Sequence, residues 1–239
     1  MLSTMSIDSF IAHLREIEPG ANAASPYNCF EHGIDATATA FCQRSLQLAA
    51  YLRHRQGTAH AILVAEAPGY QGARFSGIAM TSERMLGGQY DFVTEQDILG
   101  QVGLFRRTSA IDACRNNQER QHGFTEPTAT IVWRELMAAN RASNVVLWNT
   151  FPFHPHRAAE PLSNRRPTPE EVDVQAGVLT ELRGLFDPNC QIVAVGNVAR
   201  EHLLEMGVDA HHVRHPANGG AAEFRQQLQH LWNLVEAPN

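Results

Sequence analysis

The strongest constraint on this chain is an alternation of two kinds of segment. Four short, apolar, β-rich runs occur at "HAILVAE" (60–66), "NVVLWNT" (144–150), "QIVAVGN" (191–197) and "DAHHVRHP" (209–216). Helical periodicity fills the stretches between and around them, most clearly over 36–56, 128–141, 168–186, 197–207 and 221–235. A strand buried on both sides has no polar face to alternate, so apolar runs divided by helices predict a parallel sheet covered on both faces. Thr168 is placed to cap the third helix and Pro169 fits its first turn, while Gly207 suits the end of the fourth. The stretch 84–127 reads as an irregular insertion with short helices. No repeat or linker divides the chain, so the expectation is one domain over 1–239 with N-terminal helices over about 1–56.

In an open parallel sheet, ligands bind at the carboxyl ends of the strands. Glu66, Pro68 and Gly69 follow the first strand, and Asn149 ends the second. Gly196 and Asn197 begin a helix after the third, and His215 follows the fourth in "RHPANGG". The first of these loops is long: "LVAEAPGYQGARFSGIAMTSE" runs from Leu63 to Glu83 and carries glutamates at 66 and 83. It has neither the GK[ST] ending of a Walker loop nor a GxGxxG pattern, so a nucleotide-phosphate site is a poor fit.

Composition narrows the chemistry. All 19 basic residues are Arg, which excludes a Lys nucleophile or a Lys Schiff base. Against 25 acidic residues the formal charge is −6, which disfavours a surface that grips nucleic acid as a whole but leaves room for a local basic groove. The four cysteines, Cys29, Cys42, Cys114 and Cys190, form no CxxC pair and no zinc-like spacing, and they read as free thiols in a reducing compartment. No metal or cofactor is expected. The chain has no long apolar run, and its first residues lack the regions of a signal peptide, so a soluble cytoplasmic protein without membrane contact is expected. Trp133 and Trp148 read as core aromatics.

Taken together and in order, "EAPGYQGARFSGIAMTSE", "LWNTFPF", "NRRPTPEE", "AVGNVA" and "HPANGG" resemble the uracil-DNA glycosylase superfamily, over about residues 60 to 220. The resemblance implies a three-layer α/β/α sandwich with a short, mainly parallel four-stranded sheet. It also implies hydrolysis of the base–deoxyribose bond in DNA that contains a deaminated base, by a monomer that needs no cofactor. On its motifs, Asn149 reads the base, His215 donates to a base oxygen, and Gly196 and Asn197 contact the DNA backbone. Ala67, Pro68, Gly69, Tyr70 and Gly72 then form the wall that a flipped nucleotide approaches.

The sequence departs from the family pattern at informative places. Ala67 stands where the best-studied branch has its catalytic Asp. Glu66 matches the Glu of "GEAPG" in an iron–sulfur branch, and Glu83 matches the Asp ending "TGRPFTGD" in another. Both are therefore candidates for the catalytic carboxylate, and Glu83 equally reads as an acid at a helix start. The cysteines are not clustered as that iron–sulfur branch requires, so no cluster is expected. Met80 falls where the family stacks a Phe on the base, with Phe75 as a candidate substitute. Gly69 replaces a Tyr that excludes the thymine methyl in one branch, and Tyr70 lies next to it.

The stretch after His215, Ala217 to Gly220, lacks an apolar wedge, which points to single-stranded or mismatched substrate. Asn218 and Gly219, with Arg74, Arg157, Arg165 and Arg166, are the further candidates for the DNA-facing surface. Two other functions fit the same residues. One is a catalytically weak or inactive binder of nucleic acid or nucleobases, and the other is a hydrolase of another N-glycoside.

Overall fold

The structure, a computed structural model, describes residues 5–28 and 33–236, with the side chains of 234–236 left aside. Cys29 lies outside the described residues. Among the described residues there are six strands: β1 (Ala23–Ala24), β2 (Ala61–Ala65), β3 (Val145–Asn149), β4 (His154–Pro155), β5 (Gln191–Val195) and β6 (His211–Val213). The four expected strands are β2, β3, β5 and β6. They form one parallel sheet in the order β3-β2-β5-β6, while β1 and β4 make a small antiparallel pair.

Every residue of β2 and β3 is buried, as expected of strands covered on both faces. The edge strand β6 instead starts exposed at His211. Helices lie on both faces of the sheet. Ala40–Arg55 packs on β3, Asn197–Glu205 on β2 and β5, and Ala221–Glu236 on β6. The result is the α/β/α sandwich expected from the sequence, with Trp133 and Trp148 in its core.

The helix over 168–186 differs from expectation by breaking in two, Pro169–Val174 and Ala176–Arg183. Thr168 and Glu171 form a capping box at its start. At Gln175 the backbone tightens: the Gln175 N–H reaches Val172 O, and the Val178 N–H reaches Gln175 O, each three residues back. The insertion carries short helices at Glu95–Leu99, Ile111–Ala113 and Asn117–His122.

One buried cation stitches the layers together. The Arg55 guanidinium donates to the carbonyls of Val145, Tyr51, Ile98 and Ala142 at 2.6–3.0 Å and lies 3.7 Å over the Tyr51 ring. It therefore joins the helix Ala40–Arg55, the insertion and the start of β3 through backbone acceptors.

Candidate active site

The strand order places β3 on one side of β2 and β5-β6 on the other. Connections leave the carboxyl ends of β2 and β5 in opposite directions, the switch point at which open parallel sheets bind their ligands. Glu66 follows β2, Asn149 ends β3, Gly196 follows β5 and His215 follows β6. Register brings the first two together, because Asn149 pairs with Ala65, the neighbour of Glu66.

Asn149 is only 4% exposed, yet its side-chain amide makes no hydrogen bond among the described residues. Its polar atoms are not among the fully enclosed ones without a partner, so the amide stays open at the strand end to a ligand or water.

His215 has a defined tautomer. The Ala217 N–H donates to its Nδ1 at 3.1 Å, so in the neutral ring the proton sits on Nε2. Burial and the adjacent Arg214 cation both hold the imidazole below its usual pKa, which favours that neutral form. A Cβ on Gly220 would come 2.2 Å from the His215 carbonyl oxygen, so glycine is needed where the turn closes under the histidine.

The Glu66 carbonyl accepts from the Phe151 N–H (3.0 Å) and from the Thr150 hydroxyl (2.9 Å), and the Thr150 Oγ1 lies 2.8 Å from His202 Nδ1. These contacts fix the backbone of Glu66, while its carboxylate is half-buried with no hydrogen bond among the described residues. Burial pushes that carboxyl above the usual range, with Glu201 adding to the effect and Arg166 opposing it. Thr150 and His202 carried no recognisable sequence signal, because their contact is made only by the packing of a helix on the sheet.

Glu83 is in a different situation. It is wholly buried, and its carboxylate accepts from the N–H groups of Thr108 (2.7 Å) and Ser109 (3.0 Å) and from the Ser109 hydroxyl (2.5 Å). The buried cation Arg44 feels its charge and also pairs with Asp35 at 2.6 Å. Glu83 thus anchors the insertion to the end of the glycine loop.

Several expected ligand-facing groups are turned elsewhere. Phe75 is fully buried with its ring stacked 4.9 Å from Phe124, which corrects its assignment as a base-stacking residue. Tyr70 packs edge-on to Phe124, and its hydroxyl accepts from Arg115 at 2.6 Å. Its N–H donates to Asn164, whose amide also lies against Gly69. Pro68 is held through its carbonyl, 2.8 Å from His154 Nδ1. Ala67 is half-buried beside the core. Met80 is 4% exposed and adopts φ +47°, the left-handed region that a non-glycine residue enters only when its surroundings impose it.

The arginines divide similarly. Arg74, expected on the DNA-facing surface, is wholly buried against Asp35 at 3.3 Å, so that assignment is corrected by its ion pair. Arg165 is mostly buried and grips Glu171 with two bonds of 2.6 and 2.7 Å. Arg157 and Arg166 are exposed, paired with Glu160 and Glu201. Asn197, Asn218 and Gly219 are exposed beside His215 and Gly196, with Asn218 and Gly219 both left-handed at φ +54° and +79°. Gly72 is buried against the carboxyl of Glu126, a residue that drew no attention in the sequence.

A cleft of about 910 Å³ opens at the opposite edge of the sheet, where His60 and Asn144 precede β2 and β3 and Gln191 begins β5. It lies a strand's length from the groups above. Among the described residues, no group of three or more His, Cys, Asp or Glu is placed to hold a metal ion, and no helix is long and apolar enough to cross a membrane.

No family model and no curated protein matches the sequence. The structure, however, is similar to the crystal structure of wild-type Pedobacter heparinus SMUG2, with a TM-score of 0.61 over 97% of this chain and 98% of that chain. The two sequences are 10% identical, so what this chain shares with SMUG2 is the fold.

Proposed function

We propose that this chain is a monofunctional DNA glycosylase that hydrolyses the N-glycosidic bond of uracil or another deaminated base. The observation that carries the reading is that an Asn149 amide without a hydrogen bond among the described residues and a His215 whose Nδ1 is already occupied both stand at the carboxyl edge. The likeness in fold to SMUG2 and the order of the sequence motifs support it.

Departure of the base leaves an oxocarbenium-like sugar and an anionic base, so catalysis rests mainly on charge stabilisation. Neutral His215 donates from Nε2 to the base oxygen where negative charge grows. The Asn149 amide presents a donor and an acceptor that match the uracil edge and mismatch cytosine. Between the two glutamates, Glu66 is the one whose carboxylate is unengaged, and it faces the sugar cation and holds the attacking water. General-base help of this kind is worth about 10²–10⁴ in rate. With no Lys in the chain, the reaction ends at an abasic site without a Schiff-base lyase step. The stretch Ala217 to Gly220 offers no apolar wedge, which favours single-stranded or mismatched DNA, where extruding a base costs least.

A second reading, a nucleobase binder without efficient chemistry, is favoured by Ala67 and by the engagement of Glu83. One assay separates the two. The protein is incubated with a uracil-containing single-stranded oligonucleotide, and abasic sites are then cleaved with alkali. Scission that disappears in His215→Ala and Asn149→Ala supports the hydrolase. Binding without scission at uracil, hypoxanthine and xanthine supports the binder and sinks the hydrolase.

A further inference from the structure

Glu126 precedes the helix Pro127–Ala138 but does not cap it with its side chain. Its carboxyl turns instead to the glycine loop. A Cβ built on Gly72 would fall 1.8 Å from Glu126 Oε2 and 2.6 Å from Cδ, so the acid fills the space that any side chain at position 72 would need. The residue as a whole is partly exposed, yet Oε2 is enclosed and has no hydrogen-bond partner among the described residues.

The polar groups alongside are engaged elsewhere. The Tyr90 and Thr125 hydroxyls lie 2.6 Å apart, and the Thr130 hydroxyl reaches the Glu126 carbonyl rather than its carboxyl. Among the described residues, no charged neighbour contributes to its shift. Burial alone pushes the carboxyl up to about 7. An enclosed polar atom without a partner costs about 1–3 kcal/mol, and a group kept at that cost beside a binding loop is suited to a partner that arrives with the ligand.

We propose that Glu126 is a specificity-determining residue, its neutral carboxyl donating a hydrogen bond to a carbonyl oxygen of the base that the glycine loop receives. This inference rests on the reading above that the loop receives a base. Deamination replaces an amino group by a carbonyl, converting a donor on the base edge into an acceptor. A buried carboxylic acid kept protonated near neutral pH supplies the matching donor. The ionised carboxylate only accepts, so it repels that carbonyl. Glu126 therefore favours deaminated bases while it is protonated and loses the preference as it ionises.

The test measures affinity rather than turnover. Single-stranded oligonucleotides carry one 2′-fluorinated deoxyuridine, whose fluorine resists glycosidic cleavage, or the matching cytidine. Binding is followed by fluorescence anisotropy from pH 5.5 to 8.5 for the full chain and for Glu126→Gln and Glu126→Leu, with melting temperatures recorded and alkali-revealed excision assayed in parallel. The expected result is a wild-type preference for uracil that falls by up to about tenfold per pH unit above 7, as release of one proton dictates. Glu126→Gln, which keeps a donor, holds its preference flat across that range. Glu126→Leu keeps at every pH only the smaller, pH-independent preference that Asn149 supplies.

A uracil preference that both variants share with the wild type at every pH overturns the proposal, as does the absence of any preference in the wild type. Uracil binding that depends on Glu126 without excision leaves this inference standing and removes the hydrolase reading. Excision with Glu126-independent binding does the reverse.

Discussion

The His215 side chain rests directly on Gly196. A Cβ on Gly196 would come 2.9 Å from the Cβ of His215 and 3.5 Å from its Cγ and Cδ2, and Gly196 itself holds φ +91°. The contact follows from strand register: Val195 pairs with Val213, and the Gly196 N–H donates to the Val213 carbonyl at 2.8 Å. The glycine therefore serves as the seat of the imidazole, in addition to opening the helix Asn197–Glu205.

Replacing Gly196 by Ala meets both constraints at once. Its φ +91°, ψ 165° backbone lies in a region essentially confined to glycine and costs about 1–3 kcal/mol for a residue with a Cβ, and the added methyl displaces His215. If the enzyme reading holds, kcat/KM falls about 10²-fold, because a misplacement near 1 Å has that effect. Steady-state kinetics together with thermal melting check the two parts. An active variant with an unmoved melting temperature would contradict both.

The two glutamates are expected to separate cleanly. Glu66→Gln lowers kcat by about 10²–10⁴ and leaves folding intact, since its carboxylate makes no hydrogen bond among the described residues. Glu83→Gln destabilises by about 1–3 kcal/mol, because its carboxylate answers three donors from Thr108 and Ser109 and an amide cannot accept from all of them. Its kcat, measured on the folded fraction, stays within a few-fold of wild type. Urea denaturation and excision rates measured on the same preparations decide the matter.

Arg74→Ala is a stability variant and not a DNA-binding variant. Removing one partner of a buried ion pair costs about 3–5 kcal/mol, and Arg74 meets Asp35 where neither side chain is exposed. Denaturation midpoints should fall sharply, and any DNA affinity of the remaining folded protein should keep its salt dependence. Loss of one unit of salt slope with unchanged stability would overturn this.

Two buried groups should offset each other in the pH dependence of stability. His154 lies between the carbonyls of Pro68 and Pro161, and burial pulls it down from 6.5 to about 4. Below pH 6.5 the unfolded chain takes up a proton that the folded chain refuses until about pH 4, so about 3 kcal/mol is lost across that window. Glu126 acts in the opposite direction. Burial raises it from 4.5 to about 7, so its contribution is lost as the pH rises through that range, again by about 3 kcal/mol. Urea midpoints of the wild type should therefore stay nearly level between pH 4.5 and 6.5, whereas His154→Gln unmasks a decline with rising pH and Glu126→Gln unmasks a rise.

The sequence by itself determined the frame. The apolar runs of β2 and β3 have no polar face to expose, so they fold as strands covered on both sides, and the residue at each strand end falls on the carboxyl edge whatever the details of packing. Hence Glu66, Asn149, Gly196 and His215 could be placed together from local pattern alone. Only the tertiary structure decided which neighbouring polar groups are engaged. Glu83, Arg74, Phe75 and Glu126 lie in or against one loop, yet their partners come from Thr108 and Ser109, from Asp35, from Phe124 and from Gly72.

None of those pairings leaves a local trace, because the carboxylate of Glu83 and that of Glu66 look alike until another segment buries one and satisfies it. Glu126 before a proline reads as an ordinary acid at a helix start, and its isolation comes entirely from the fit of that turn against Gly72. Periodicity is a property of neighbours along the chain. Burial and charge satisfaction are set by residues tens of positions away, and in this protein those are the terms that separate a structural carboxylate from one left open to a ligand.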